Sequence, residues 1–203
     1  MDRKRTALMG IGLTTMLAVS PRVSFAQTTT TYSGEAAALK ASAPAGISLA
    51  LADTGPLPSN GGNLSTSVAN VNVAGVASAH TLSSSASASG TSSQSQSTVQ
   101  DVNVLNGLVA ATGVKSSASA TCSGGQASVS GNAQLIGLTV AGTPILVSTP
   151  NLSISLPGGI SVIVDQRTSS SGGNAGSTTV NALHVTGPGI DIVVASAQSG
   201  ITC

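Results

Sequence analysis

The chain has 203 residues and a formal net charge of +1, and only 6% of its residues are charged. No basic patch stands out, which leaves nucleic-acid binding without an electrostatic footprint. Aromatic residues make up 1% of the chain, which argues against base stacking and against an aromatic platform for carbohydrate.

Residues 1–26 read as a secretory signal peptide. Arg3, Lys4 and Arg5 give a positive start, Ala7 to Val19 is a short apolar run, and Pro21 breaks it. Ser24-Phe25-Ala26 then supplies a small-x-small cleavage signal before Gln27. The apolar run is too short to cross a membrane, so no transmembrane segment is expected after cleavage. Removing 26 of 203 residues leaves 177, in which Lys40, Lys115 and Arg167 face Glu35, Asp53, Asp101, Asp165 and Asp191, a balance of −2. No cysteine lies near the cleavage point, so a lipid anchor is not expected, and no sorting tail follows Cys203.

A chain of this size buries about 70% of its unfolded surface. With Tyr32 the only aromatic after Ala26, the core must be built from Val, Leu, Ile and Ala. Apolar residues are plentiful and alternate with polar ones, which points to folded strands rather than disorder. The two cysteines, Cys122 and Cys203, suit an oxidising compartment and are expected to pair with each other. That bond would close a loop of about 81 residues and contribute around 4 kcal/mol on the loop-entropy model.

Residues 27–62 form a Thr/Ala/Pro/Gly-rich lead, and 63–203 a single all-β domain. Within the lead, Glu35 to Lys40 is expected as a helical turn with its two charges too far apart to pair well. Ala45 to Ala52 is expected as a first strand, and Asp53 to Gly62 as a Pro/Gly loop. The domain opens on Thr66-Ser67-Val68-Ala69-Asn70-Val71-Asn72-Val73, and Ser97-Thr98-Val99-Gln100-Asp101-Val102-Asn103-Val104 is its near-copy, 31 residues on from Val68 to Val99. Strict apolar–polar alternation would place the valines on one face and Asn or Asp on the other, the signature of a half-buried strand. Each copy is followed by a Gly-containing turn and a longer return strand that ends in Ser/Ala alternation, Ser84 to Ala88 and Ser116 to Ala120. Such small side chains let two sheets, or a second chain, approach closely; a thin sandwich edge facing water is the preferred reading over an assembly surface.

Further on, Ala127 to Val140 alternates irregularly and Pro144 to Ser148 is a short apolar strand. Asn151 to Leu156 and Ile160 to Asp165 flank a Pro157-Gly158-Gly159 hairpin turn. Thr178 to Val185 restates the opening motif with His184 in place of Asn72 and Asn103, and Ile190 to Ala197 is the last strand. The expected fold is an antiparallel β-sandwich or barrel built from repeated hairpins, with a β-solenoid as the alternative.

These repeated Val-x-Asn/Asp-Val-Asn-Val strands, Thr179 to Val185 and the closing Ile192 to Ile201 resemble the choice-of-anchor P family of bacterial surface proteins. The resemblance covers the chain from Asn63 onward. It implies an exported surface domain without an assigned activity, held to the cell by differing C-terminal anchors. This sequence departs from that pattern in showing no anchor, which implies release or retention by contacts alone.

Reactive groups are sparse. His80 and His184 are the only histidines, and no His-x-His or Cys-x-x-Cys spacing occurs, so no metal site is expected. No Gly-x-Ser-x-Gly elbow and no phosphate-cradling glycine motif are present. Asp101, Asp165 and Asp191 read as strand-edge or turn acids, and Asp165 with Arg167 as an exposed pair worth under about 1 kcal/mol. The sequons Asn63-Leu64-Ser65 and Asn151-Leu152-Ser153 matter only in a glycosylating host. The expected function is therefore an exported, non-catalytic structural or adhesive protein, self-associating or bound to cell-envelope components, with no catalytic residues and no cofactor. Two alternatives remain at this level. An extracellular hydrolase needs His80 or His184 within reach of a serine and an aspartate, and a small-ligand binder needs a closed barrel.

Overall fold

The computed structural model describes residues 29–203, so the expected signal peptide lies outside the described residues. Thirteen strands form two antiparallel sheets. Sheet A runs β10 (Leu152–Leu156), β11 (Ile160–Gly172), β12 (Ala175–Gly187), β13 (Ile190–Thr202), β1 (Thr31–Ala43) and β2 (Ile47–Asp53). Sheet B runs β3 (Gly62–Val73), β4 (Ala77–Ser89), β5 (Ser92–Val104), β6 (Val109–Ser123), β8 (Thr139–Val140) and β9 (Thr143–Pro144), with β7 (Gln126–Ile136) also on β6. Strands β1 and β13 pack over β4, β5 and β6, and β12 packs over β6 and β7, which makes a sandwich. Both sheets end in open edges, so neither the barrel nor the solenoid is formed.

The repeat survives as two hairpins, β3–β4 and β5–β6, lying side by side in sheet B. The lead does not stay outside the sandwich. Glu35 to Lys40, expected as a helical turn, is the middle of β1, with Ala36, Ala37, Ala38 and Leu39 buried. The local helical preference of alanine is a fraction of a kcal/mol per residue, and pairing with β13 and β2 overrides it.

A seam crosses each sheet and breaks strict alternation. Val68 and Val71 are three residues apart, yet both face inward, because Ala69 and Asn70 both face outward. Asn70 sits at φ +54 and Asp101, its counterpart in β5, at φ +50. By register, Asn70, His80, Asp101 and Thr112 lie side by side across β3 to β6, all exposed. In sheet A the matching line is Asp165, Ala182, Ala195, Ala38 and Ala52, and there all five are buried. Asp165, Ala195 and Ala52, on every second strand, have φ of +52, +53 and +46. A left-handed residue reverses the pleat, and because the opposite strand reverses at the same level, register is kept. The doubled face is outward in sheet B and inward in sheet A.

Asn and Asp tolerate the left-handed region, whereas a β-branched residue there is strained. Asn70→Gly is therefore expected to hold stability to within about 0.5 kcal/mol, while Asn70→Val loses about 1–2 kcal/mol, as read from urea midpoints.

The seam also divides the interior. On one side the sheets enclose Leu39, Val102, Val104, Val109, Val162, Val164, Leu183, Val185, Ile192 and Val194, all nearly or fully buried. On the other side, beyond a band of Leu82, Val99, Val114 and Val180, most inward residues are Ser, Ala and Gly, with a small apolar cluster of Leu57, Ala86 and Ala88 against Tyr32 and Leu64, and with Ile201 also buried. There the sheets are stitched by hydroxyls. Ser199 Oγ bonds Ser95 Oγ at 3.2 Å and donates to the Ala118 carbonyl at 3.1 Å, and Ser93 Oγ donates to the Ser33 carbonyl at 2.9 Å. The Ser/Ala alternation thus serves both sides of one sheet: Ser84, Ala86 and Ala88 are buried, and Ser83, Ser85 and Ser87 are exposed.

Gly131 shows how close the sheets come. A Cβ built there would overlap Val180 Cγ2. Gly131→Val is expected to cost about 1–3 kcal/mol by overpacking, and pairing it with Val180→Ala should recover part of the loss in a denaturation series.

Candidate functional site

Cys122, near the end of β6, and Cys203, just past β13, form a disulfide with Cα atoms 5.8 Å apart and a sequence separation of 81. The bond joins sheet B to sheet A at the Ser/Ala/Gly end. Strand geometry brings both sulfurs there: the Cys122 N–H donates to the Thr91 carbonyl at 2.8 Å, and the Cys203 N–H to the Asn174 carbonyl at 2.7 Å. No other cysteine is present among the described residues.

Titratable side chains gather in four local groups. On the outer face of sheet A, Lys40 contacts Glu35 and lies 3.6 Å from Asp53. Five residues separate Glu35 from Lys40, an odd spacing that a regular strand would send to opposite faces. The seam at Ala38 restores them to one face. Burial tends to lower the Lys40 pKa, but the hydrogen bond and charge of Glu35, helped by Asp53, outweigh it and raise the value. The folded protein therefore holds that proton more tightly than the unfolded chain. The stabilisation is complete below the ordinary value of 10.5 and fades as pH rises above it. Lys40→Met is expected to lower stability slightly through the neutral region and to remove the alkaline fall, so that the two profiles converge at high pH, a comparison made by urea titration at stepped pH.

On the same face His184 Nε2 lies 3.0 Å from Asp191 Oδ1 and His184 Nδ1 lies 2.9 Å from Gln166 Oε1, which also accepts from Asn181 Nδ2 at 2.9 Å. On the outer face of sheet B, His80 Nδ1 lies 3.5 Å from Asp101 Oδ2, with both side chains largely exposed. The two histidines thus stand on opposite outer faces. Each reaches an aspartate, and neither hydrogen-bonds a serine among the described residues. The serine–histidine–aspartate arrangement required by the hydrolase alternative is not assembled around either one.

The fourth group differs from its expected form. Asp165 is not a strand-edge acid on the surface but a seam residue, its side chain only 6% exposed. Arg167 clamps it in a bidentate pair, Nε to Oδ1 at 2.7 Å and Nη2 to Oδ2 at 2.6 Å. That hydrogen bond, against the opposing effect of burial, holds the guanidinium pKa above its ordinary value. Arg167 Nη2 also reaches Asn132 Oδ1 on β7 at 3.4 Å, and its N–H donates to Asn151 Oδ1 at 2.8 Å. The pair closes one lateral side of the sandwich, at the base of an open cleft of about 570 Å³ between β7 and the segment 144–150. The cleft walls are mainly apolar, including Leu135, Leu138, Ile145 and Val147.

The broadest polar feature is the outer face of sheet B below its seam. Asn63, Ser87, Gln94, Ser119 and Ser130 make one row across β3 to β7, and Ser65, Ser85, Gln96, Ser117 and Asn132 the next. Rows repeat about every 6.8 Å along the strands and every 4.8 Å across them. The glutamines of β5 form a ridge, with serine-floored troughs on either side of it. In these two rows every side chain is a neutral hydroxyl or amide.

No group of three or more His, Cys, Asp or Glu side chains placed to hold a metal ion occurs among the described residues. No helix among them is long and apolar enough to cross a membrane. Comparison with protein-family models, with curated proteins and with solved structures finds no match for this chain.

Proposed function

We propose that this protein is an exported, non-catalytic structural or adhesive domain that works at the cell surface or in the extracellular space. The observation that carries the reading is the two neutral hydroxyl-and-amide rows on the outer face of sheet B, five strands wide and bordered toward the seam by the row that carries Lys115. A broad, uncharged, hydrogen-bonding surface suits contact with other extended polar surfaces of the cell envelope, including further copies of the chain. The four titratable groups support the same reading, because their partners are neighbouring residues that brace the strands. The disulfide is compatible with an extracytoplasmic location. The resemblance to choice-of-anchor P surface proteins points the same way.

The test is retention. The chain, expressed in a bacterial host with its own first 26 residues, is expected outside the cytoplasm, oxidised, and bound to the envelope. Replacing Ser85, Gln96 and Ser117, adjacent in one row of sheet B, by glutamate is expected to release it, with only the small fall in melting temperature that like charges on neighbouring strands cause. Recovery of the parent protein in the cytoplasm, or undiminished retention of the triple variant, would overturn the proposal.

A further inference from the structure

We propose that two copies of this chain pair through the free edge of β3, making one sheet continuous across a two-fold axis. The inference deepens the surface role and rests on it only for its biological setting.

The repeat supplies the internal comparison. The same motif occurs in β3 and β5. In β5 it has neighbours on both sides, β4 and β6, and Val99, Val102 and Val104 are at most 2% exposed. In β3 it has only β4, and Val68, Val71 and Val73 are only partly buried against the core. What separates the two copies is one missing strand.

The β3 edge is also the unguarded one. Its twelve residues, Gly62–Val73, include no proline and no charged side chain. The other edge strands are shorter, and each is ended by a charge or proline or faced by a neighbouring segment. Strand β2 ends at Asp53 and gives way to a loop containing Pro56 and Pro58, which bonds back to β1 through the Thr54 and Leu57 N–H groups. Strand β10 has five residues and lies between Pro150 and Pro157. Strand β7 borders the segment 144–150 and Arg167 across the cleft, and its Ala127 N–H is taken by the Gly173 carbonyl. Natural sheets protect long flat edges or use them.

A second copy is the occupant that the chemistry selects. An antiparallel ladder centred on Thr66 sets Leu64 opposite Val68 of the other copy and Ser65 opposite Ser67, so inward residues meet inward and hydroxyls meet hydroxyls. The ladder stops below the reversed pleat at Asn70. The paired stretch Asn63–Ala69, roughly 24 Å long and roughly 15 Å deep, covers on the order of 350 Å² per copy, below the standard size for a specific interface. The pairing is therefore weak and concentration-dependent, and isologous, as most homodimers are.

Light scattering on the oxidised protein from about 1 to about 100 µM, the range that a low-end interface implies, tests it. The mass is expected to rise from one copy to two. Ser65→Lys with Ser67→Lys, both exposed, places four like charges across the two-fold and is expected to keep the protein monomeric throughout, with the parent melting curve at low concentration. Gln134→Lys on β7 is expected to dimerise like the parent. A monomer at every concentration, or a dimer indifferent to the β3 lysines, would refute the pairing. A monomer still retained on the envelope would refute it while leaving the surface role standing, and a dimer that is not retained would do the reverse.

Discussion

Reducing the Cys122–Cys203 bond is expected to lower the unfolding free energy by about 4 kcal/mol and the melting temperature by about 8–16 °C. Two features make the effect large. The bond closes a loop of 81 residues, so the reduced unfolded chain regains much conformational freedom. It also sits at the end where most facing residues are Ser, Ala and Gly and the apolar cluster is small, Leu57, Ala86 and Ala88 with Tyr32 and Leu64, so less hydrophobic attraction holds that end shut than the other. Denaturant titration with and without reductant measures the difference, and Cys122→Ala with Cys203→Ala should reproduce the reduced curve. Alkylation of the unfolded protein should label no thiol before reduction and two after it. Two free thiols in the exported protein, or coincident titration curves, would remove the bond from the stability argument.

Arg167→Ala is expected to cost about 3 kcal/mol, several times the value for a surface ion pair. Truncation leaves the Asp165 carboxylate enclosed at the seam without its bidentate partner, and it also severs the link from β11 to Asn132 on β7. The guanidinium is itself about one-third exposed, which places the loss at the lower end of the range for buried pairs. Adding Asp165→Asn to Arg167→Ala should restore part of the stability, because asparagine is neutral and still accepts the left-handed backbone at φ +52. Urea midpoints for the two single variants and the double give the coupling. A loss below about 1 kcal/mol for Arg167→Ala would mean that water screens the pair as it does on an open surface.

Much of the architecture was legible in the sequence because alternation and turn residues are local signals. The alternating strands, the Pro157-Gly158-Gly159 turn and the two cysteines each pointed to what the structure contains. The seam was harder to read. Its signal is the three-residue step from Val68 to Val71, repeated from Val99 to Val102, which a strict period of two passes over. The same oversight sent Asp165 to the surface. Alanine-rich Glu35 to Lys40 was misjudged for another reason: nothing local announces that β1 will lie between β2 and β13. The close approach at Gly131 was likewise hidden, since it depends on Val180 in the other sheet. The neutral face of sheet B emerges only when rows from five strands are laid side by side.

The first and last strands are neighbours, with Thr31 opposite Thr202. Until residues 190–202 emerge from the ribosome, β1 has only β2 beside it in its sheet, and the middle of sheet A stays open. High contact order of this kind slows folding and leaves unpaired backbone at risk of aggregation. The chain thus remains an unfinished, threadable polymer until β13 is made, and Cys203, which completes the covalent tie, becomes available only after that strand.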